Sequence, residues 1–315
     1  MKYLPIGFVI VNFNSGELLA SCIKSINYYS FFNPRDIIVV DNGSADNSLS
    51  IAESMGVKII KAGNIGYGAS CNLGIKYVQS DYVFFLNADT EIISVNKGAL
   101  EKVLKENVAL IAPALQETGT VIFNFNPFFG PLFDALLRDT GFEKRLNNKH
   151  PLVTTQYFSG WSSGAALLIN KEFYKRIGGF DENFFLYYEE VDLCYRIFKA
   201  GGLQVYLPSL VILHVGGGSS RDLNWSRTAI RYDSKRYYWQ KHSGGIILLT
   251  HRIFTVLVLL MKVLRAIIVK KERHKLRAYK YALQIYLYPT YKFHKLRAKT
   301  WWWKCATDGR IKLRG

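Results

Sequence analysis

Short apolar runs alternate with helically spaced apolar positions along the first third of the chain. Residues 6–11 form one such run, ended by the polar Asn12-Phe13-Asn14-Ser15, and Leu18, Leu19, Cys22, Ile23 and Ile26 then recur at the spacing of a helix face. A second run, Ile37-Ile38-Val39-Val40, stops at Asp41-Asn42-Gly43-Ser44, after which Asp46 or Asn47 can cap a helix reaching Met55. Residues 57–60 predict a short third strand, and Asn64-Ile65-Gly66-Tyr67-Gly68-Ala69 opens a helix running to residue 78. Strands separated by helices of roughly 10–15 residues define βαβ units, so the expected fold is α/β with a mostly parallel, doubly wound sheet.

The strongest strand signal is Tyr82-Val83-Phe84-Phe85-Leu86, which predicts burial on both faces and ends abruptly at Asn87-Ala88-Asp89. A carboxylate at the end of a buried strand is costly unless it meets a cation, backbone N–H groups or a ligand. Right-handed βαβ connections place all these strand ends on one sheet edge, where open α/β sheets bind ligands. Asn12, Asn14, Asp41, Asn87 and Asp89 therefore converge on one candidate site. Turn and cap chemistry explains each of them singly; their recurrence at three strand ends points to a shared site. Gly66 and Gly68 ahead of a helix resemble a phosphate-cradling loop that lacks the third glycine.

Together, Val9-Ile-Val-Asn-Phe-Asn-Ser, Ile38-Val-Val-Asp-Asn-Gly-Ser-Ala-Asp, Asn64-Ile-Gly-Tyr-Gly-Ala-Ser-Cys-Asn-Leu-Gly and Leu86-Asn-Ala-Asp resemble glycosyltransferase family 2. Its bacterial rhamnosyltransferase-like members are the nearest in pattern. The resemblance implies the GT-A nucleotide-sugar fold, with Asn12 and Asp41 holding the nucleoside and Gly66 and Asn72 on the donor side. The family's D-x-D metal motif stands here as Asn87-Ala88-Asp89, which leaves Asp89 as the one anionic ligand from this strand.

A second block begins at Ser159-Gly-Trp-Ser-Ser-Gly-Ala-Ala-Leu-Leu-Ile and continues through Gly178-Gly-Phe-Asp-Glu to Tyr188-Glu-Glu-Val-Asp-Leu-Cys-Tyr-Arg. The last part resembles the family's E-D-x-D-L-x-x-R, in which the second acid is the catalytic base, so Glu190 takes that place ahead of Glu189. From the residues alone, Glu189, Glu190 and Asp192 open a helix whose dipole favours acids. Three acids in four positions repel one another, and at least one should have a raised pKa. Asp192 and Arg196 are spaced to pair along the helix. His214 ends an apolar run before three glycines; the resemblance makes it a metal or diphosphate group, and an imidazole favours Mn²⁺ over Mg²⁺. The resemblance covers roughly residues 5–245.

Charge separates the chain into two parts. Residues 1–220 hold 18 Lys+Arg against 20 Asp+Glu, or −2, whereas residues 221–315 hold 23 against 4, or +19. Residues 246–269 are almost continuously apolar except for His251, Arg252, Lys262 and Arg265. At about 100° per residue these four share an arc of about 140°, as in a helix lying in a membrane interface, and their number argues against spanning. Basic residues interleaved with tyrosines follow, then Trp301-Trp302-Trp303, a combination suited to an anionic lipid surface. A helical subdomain with a solvated basic face and an RNA-binding surface are the competing explanations.

The chain thus divides into a catalytic domain over 1–245 and a basic, aromatic-rich helical segment over 246–315. The Pro- and aromatic-rich residues 124–133 form either an acceptor lid or a packed loop. Four scattered cysteines indicate neither zinc nor a disulfide framework, and no signal-peptide pattern opens the chain, which suits a cytoplasmic location. The implied activity is inverting, metal-dependent transfer of a sugar, foremost L-rhamnose from dTDP-L-rhamnose, to a lipid-linked glycan at the cytoplasmic face of a bacterial inner membrane. Other donors (UDP-galactofuranose, UDP-glucose, UDP-N-acetylglucosamine) are the alternatives within that class. A nucleic-acid-binding protein on an inactive nucleotide fold is the alternative outside it.

Overall fold

The computed structural model describes residues 3–117, 120–122, 126–128, 154–216, 224–269, 273 and 275–287. Most of the 124–133 segment, the glycines after Gly216 and the Trp301-Trp302-Trp303 run lie outside the described residues. The chain divides into two compact units. The first comprises residues 1–128, 150–182 and 189–219, and the second residues 129–149, 183–188 and 220–315.

In the first unit the predicted βαβ series is present. It runs β1 (Ile6–Asn12), α1 (Glu17–Asn27), β2 (Ile37–Asp41), α2 (Ser48–Ser54), β3 (Lys58–Lys61), α3 (Tyr67–Gly74) and β4 (Tyr82–Asn87). There follow β5 (Thr90–Val95), α4 (Lys97–Lys105), β6 (Leu110–Glu117), β7 (Thr120–Ile122), β8 (Asn126–Pro127), β9 (Gln156–Tyr157) and β10 (Gly160–Trp161). The unit closes with β11 (Ala166–Asn170), α5 (Lys171–Arg176), α6 (Glu189–Lys199) and β12 (Gln204–His214). The main sheet has the order β3-β2-β1-β4-β11-β6-β12-β5. β3, β2, β1 and β4 run parallel, as do β6 and β12, while β11 and β5 are antiparallel to their neighbours.

The apolar run of β4 is buried throughout because it lies in the middle of this sheet with helices on both faces. Phe8, Ile10, Phe84 and Leu86 pack with Leu19, Ile23 and Ile26 of α1 on one face. On the other, Phe85 meets the rings of Tyr174 and Phe180 at 5.4 and 5.7 Å. α3 lies close over the sheet because Gly74 has no side chain: a Cβ there would stand 2.5 Å from Val9 and 2.8 Å from Val40.

The second unit contains α7 (Asn224–His242), α8 (Gly245–Ile268) and α9 (Leu276–Leu287). The structure thus groups α7, N-terminal to residue 245, with the helices that follow it. Tyr232, Leu259, Ala282, Ile285 and Tyr286 form their shared core. The 183–188 segment packs on α7, with Phe184 against Tyr237 and Ser234 donating to the Leu186 carbonyl. Three of the four charged positions of α8 pack inward, while Arg265 is exposed. His251 is buried beside Thr255, Arg252 donates to the Tyr286 and Leu287 carbonyls, and Lys262 donates to the Tyr232 hydroxyl. The opposite arc leaves Ile246, Leu249, Ile253, Leu257, Leu260, Met261, Leu264 and Ile268 exposed.

Candidate active site

Parallel register brings the polar strand ends together, with Asn12 opposite Asp41 and Val11 opposite Asn87. Asn12 is fully buried and donates through Nδ2 to Asp41 Oδ1, Ser44 Oγ and Ser48 Oγ. Its Oδ1 has no hydrogen-bond partner among the described residues. The Asp41 carboxylate also accepts from the Gly43 and Ser44 N–H groups, each at 3.1 Å, which holds the loop after β2 against the end of β1. Asn14, at φ 50°, clamps the same loop by accepting from Ala45 N and donating its own N–H to Ser44 Oγ. Ser44 and Ser48 carry this network. Neither stands out in the sequence, because Ser44 lies in a Gly-Ser-Ala-Asp turn and Ser48 at a helix start, both ordinary places for serine.

Gly66 caps α3 at φ 95°, where a side chain would be strained. Asn42 Oδ1 accepts from Ile65 N, joining this loop to the loop after β2. Asn72 is fully committed. Its Nδ2 donates to the Phe180 carbonyl and Glu182, and its Oδ1 accepts from Phe180 N and the Tyr174 hydroxyl. It tethers α3 to the 178–182 turn. A Cβ on Gly179 would lie 2.7 Å from Asn72 Oδ1, at a φ of 69°.

Asn87 N–H donates to the Ala165 carbonyl, and Asp89 is buried just beyond β4. β12 runs antiparallel to β5 with His214 opposite Thr90, and Val215 N donates to the Asp89 carbonyl. This register puts His214 Nε2 3.5 Å from Asp89 Oδ1, while Nδ1 stands 3.3 Å from Glu117 Oε1 at the end of β6. Burial lowers the His214 pKa, but its contacts with Asp89 and Glu117 outweigh that and raise it to about 9. Glu117 was missed in the sequence; its one signal is an acid ending an otherwise apolar strand. Among the described residues no set of three metal-ligating side chains is gathered as in a closed structural metal site. An acid and an imidazole converging from two strands suit an ion that completes its shell on a ligand.

The chain enters α6 through Tyr187 and Tyr188, both at φ 67°, a left-handed conformation costing roughly 1–2 kcal/mol per non-glycine residue and typical of functional sites. Glu189 is buried, and its Oε2 has no hydrogen-bond partner among the described residues. Burial, then the neighbouring Glu190 carboxylate, pushes its pKa well above the carboxylate range. Glu190 is half-buried, its Cβ facing Gly164. Asp192 is fully buried and held by Arg196 Nη2 at 2.7 Å and Nε at 2.8 Å, with Nη1 of that arginine donating to the Ile177 carbonyl. Its carboxylate thus joins α6 to the turn after α5.

The first unit thus combines a parallel nucleotide-type half-sheet, an acid just beyond its central strand and an acidic helix start. Residues 8–164 match the model for glycosyl transferase family 2, and the chain belongs to that family. It is 26% identical over 271 residues to N-acetylglucosaminyl-diphospho-decaprenol L-rhamnosyltransferase of Mycobacterium tuberculosis (strain ATCC 25618 / H37Rv), a match covering 76% of this chain and 85% of that one. It is 24% identical over 233 residues to rhamnosyltransferase WbbL of Escherichia coli (strain K12), covering 70% and 84%. The fold matches mannosyltransferase PcManGT from Pyrobaculum calidifontis, solved with GDP-Man and Mn²⁺, with a TM-score of 0.56 at 14% identity over 92% of this chain and 89% of that one. The chain is a glycosyltransferase, similar to rhamnosyltransferases of its family.

Proposed function

We propose that this enzyme transfers L-rhamnose from dTDP-L-rhamnose, with inversion, to a lipid-linked glycan in the synthesis of a bacterial surface polysaccharide. The observation carrying the mechanism is the contrast between two adjacent acids. Glu189 is the more deeply buried, and burial and its neighbour raise its pKa well above the carboxylate range, so Glu190, the less buried of the two, takes the role of base. Glu190 takes the proton of the acceptor hydroxyl as that oxygen attacks the anomeric carbon in line, and the nucleoside diphosphate departs from the opposite face. The Asn12–Asp41–Ser44 network fixes the loop that borders the nucleoside site.

Asp89 and His214 are the residues that would hold a divalent cation, Mn²⁺ or Mg²⁺. Glu117 is placed to accept the Nδ1 proton and so leave the Nε2 lone pair for a ligand bond. When bound, such an ion supplies Lewis-acid stabilisation of the diphosphate. The named lipid-linked substrate of the mycobacterial relative and the exposed apolar arc of α8 support peripheral attachment to the cytoplasmic face of the membrane. α8 is long and apolar enough to cross a membrane. Its inward-packed His251, Arg252 and Lys262 favour a helix lying along the surface.

The test is a transfer and hydrolysis screen over dTDP-L-rhamnose and the UDP-sugars, with a polyprenyl-diphosphate-linked N-acetylglucosamine acceptor. Turnover with dTDP-L-rhamnose at least tenfold above the other donors supports the assignment. A preference for UDP-galactofuranose, UDP-glucose or UDP-N-acetylglucosamine would replace it.

A further inference from the structure

The second unit contains a cavity of about 240 Å³ enclosed by α7, α8 and α9. Arg236, Gln240, His251 and Arg252 form its polar lining, Leu249 and Ile285 part of its apolar lining, and among the described residues no carboxylate lines it. Arg252 donates Nε and Nη2 to the Tyr286 and Leu287 carbonyls at 2.7 and 2.9 Å, and among the described residues no acid neutralises it. A guanidinium has five N–H donors, so this arginine has capacity beyond those two bonds. Arg236, also buried, is steadied by Asp233 at 3.2 Å. Gly245, the first residue of α8, lies at the same wall, and among the described residues no side chain caps that helix start, so its positive end adds to the field.

The mouth of the cavity adjoins the exposed apolar arc. Leu249 borders the cavity and is also 55% exposed, and Ile246 and Ile247 beside it are 79% and 52% exposed. A site of positive charge that opens beside an apolar face matches an anionic headgroup carrying a hydrocarbon chain. A free anion would use the charge and leave the apolar face uncovered.

We propose that this cavity binds the phosphate headgroup of an anionic lipid, whose chain lies along the apolar arc of α8. This rests on the reading that α8 lies on the membrane, and it adds a specific headgroup site to general surface attraction. The magnitudes separate the two. Removing one basic residue from an anionic surface weakens binding about fivefold. Removing a charged hydrogen-bond donor from a phosphate site weakens it about tenfold to a hundredfold.

The experiment is flotation of the full-length chain with phosphatidylcholine vesicles, with and without phosphatidylglycerol. It compares wild type, Arg252→Gln, Gln240→Glu and the exposed control Arg265→Gln. Gln240→Glu places a carboxylate at the cavity while leaving the Arg252 cap on α9 intact, and circular dichroism melts confirm folding. The expected result is a loss of anionic preference of tenfold or more in Arg252→Gln and Gln240→Glu against about fivefold in Arg265→Gln, with binding to neutral vesicles unchanged. Equal, small losses in all three variants would overturn the cavity site and leave membrane docking standing. Wild type failing to bind either vesicle would overturn docking and the lipid assignment together. Thermal stabilisation of wild type by inorganic phosphate alone, abolished by Gln240→Glu, with no vesicle preference, would reassign the cavity to a soluble phosphate.

Discussion

Exchanging Glu189 and Glu190 separately for glutamine tests the division of labour between them. Glu189 is the more deeply buried, and burial, then the neighbouring Glu190 carboxylate, raises its pKa well above the carboxylate range. Glutamine copies a protonated glutamate in shape and charge, so Glu189→Gln should keep wild-type turnover within a few-fold. Glu190→Gln removes the proposed base and should lower turnover about 10²–10⁴-fold, equivalent to about 2.7–5.4 kcal/mol of barrier, with donor affinity nearly intact.

Stability gives a second readout with a definite sign. A carboxyl whose folded pKa is raised binds its proton more tightly when folded, so its contribution is present at low pH and lost as pH rises above the unfolded value. Each pH unit from the unfolded value of about 4.3 up to the raised folded pKa should cost wild type about 1.4 kcal/mol relative to Glu189→Gln. The assays are steady-state transfer kinetics and urea melts from acid to neutral pH. An inactive Glu189→Gln beside an active Glu190→Gln would make Glu189 the base and refute the assignment; parallel pH-stability curves would refute the buried proton.

Three further outcomes are expected. Asp89→Ala should abolish metal-dependent transfer and nucleotide-coupled metal binding while the fold survives, as read by calorimetry with Mn²⁺ and dTDP; normal turnover in the presence of chelator would remove Asp89 from the site. The His214 proton, held to about pH 9, should contribute stability fully below its unfolded pKa of about 6.5 and lose it as pH rises through 9, and Glu117→Gln should lower the His214 pKa in an NMR titration. Gly179→Ala combines a left-handed φ with a Cβ 2.7 Å from Asn72 Oδ1, and should lower stability by about 2–4 kcal/mol in denaturant melts.

Much of the first unit was legible because its signals are local. A two-sided apolar strand such as residues 82–86 can only be buried in the middle of a sheet, and parallel connections then oblige Asn12, Asp41 and Asp89 to share an edge. The sites of contact between distant residues were not legible. Glu117 faces His214, 97 residues away in sequence, because β6 and β12 pair with a register shift between Leu207 and Val211, which no local pattern records. Asn72 fits a donor-side loop by motif, yet its amide is spent on residues 174–182, since the turn after α5 folds back over α3.

By itself the sequence determined the βαβ order, the acidic start of α6, the charge division between the two parts of the chain and the single charged arc of residues 246–269. Those properties follow from residue order and helical or strand periodicity alone. Which side of α8 faces outward was decided only in three dimensions. The carbonyls ending α9 and the Tyr232 hydroxyl offer partners that hold Arg252 and Lys262 inside the unit beside the buried His251, so this side of α8 packs inward and the apolar arc is left exposed. The division between Glu189 and Glu190 has the same origin. Their side chains differ in nothing but position, and the packing of α6 leaves the first buried and the second half-buried.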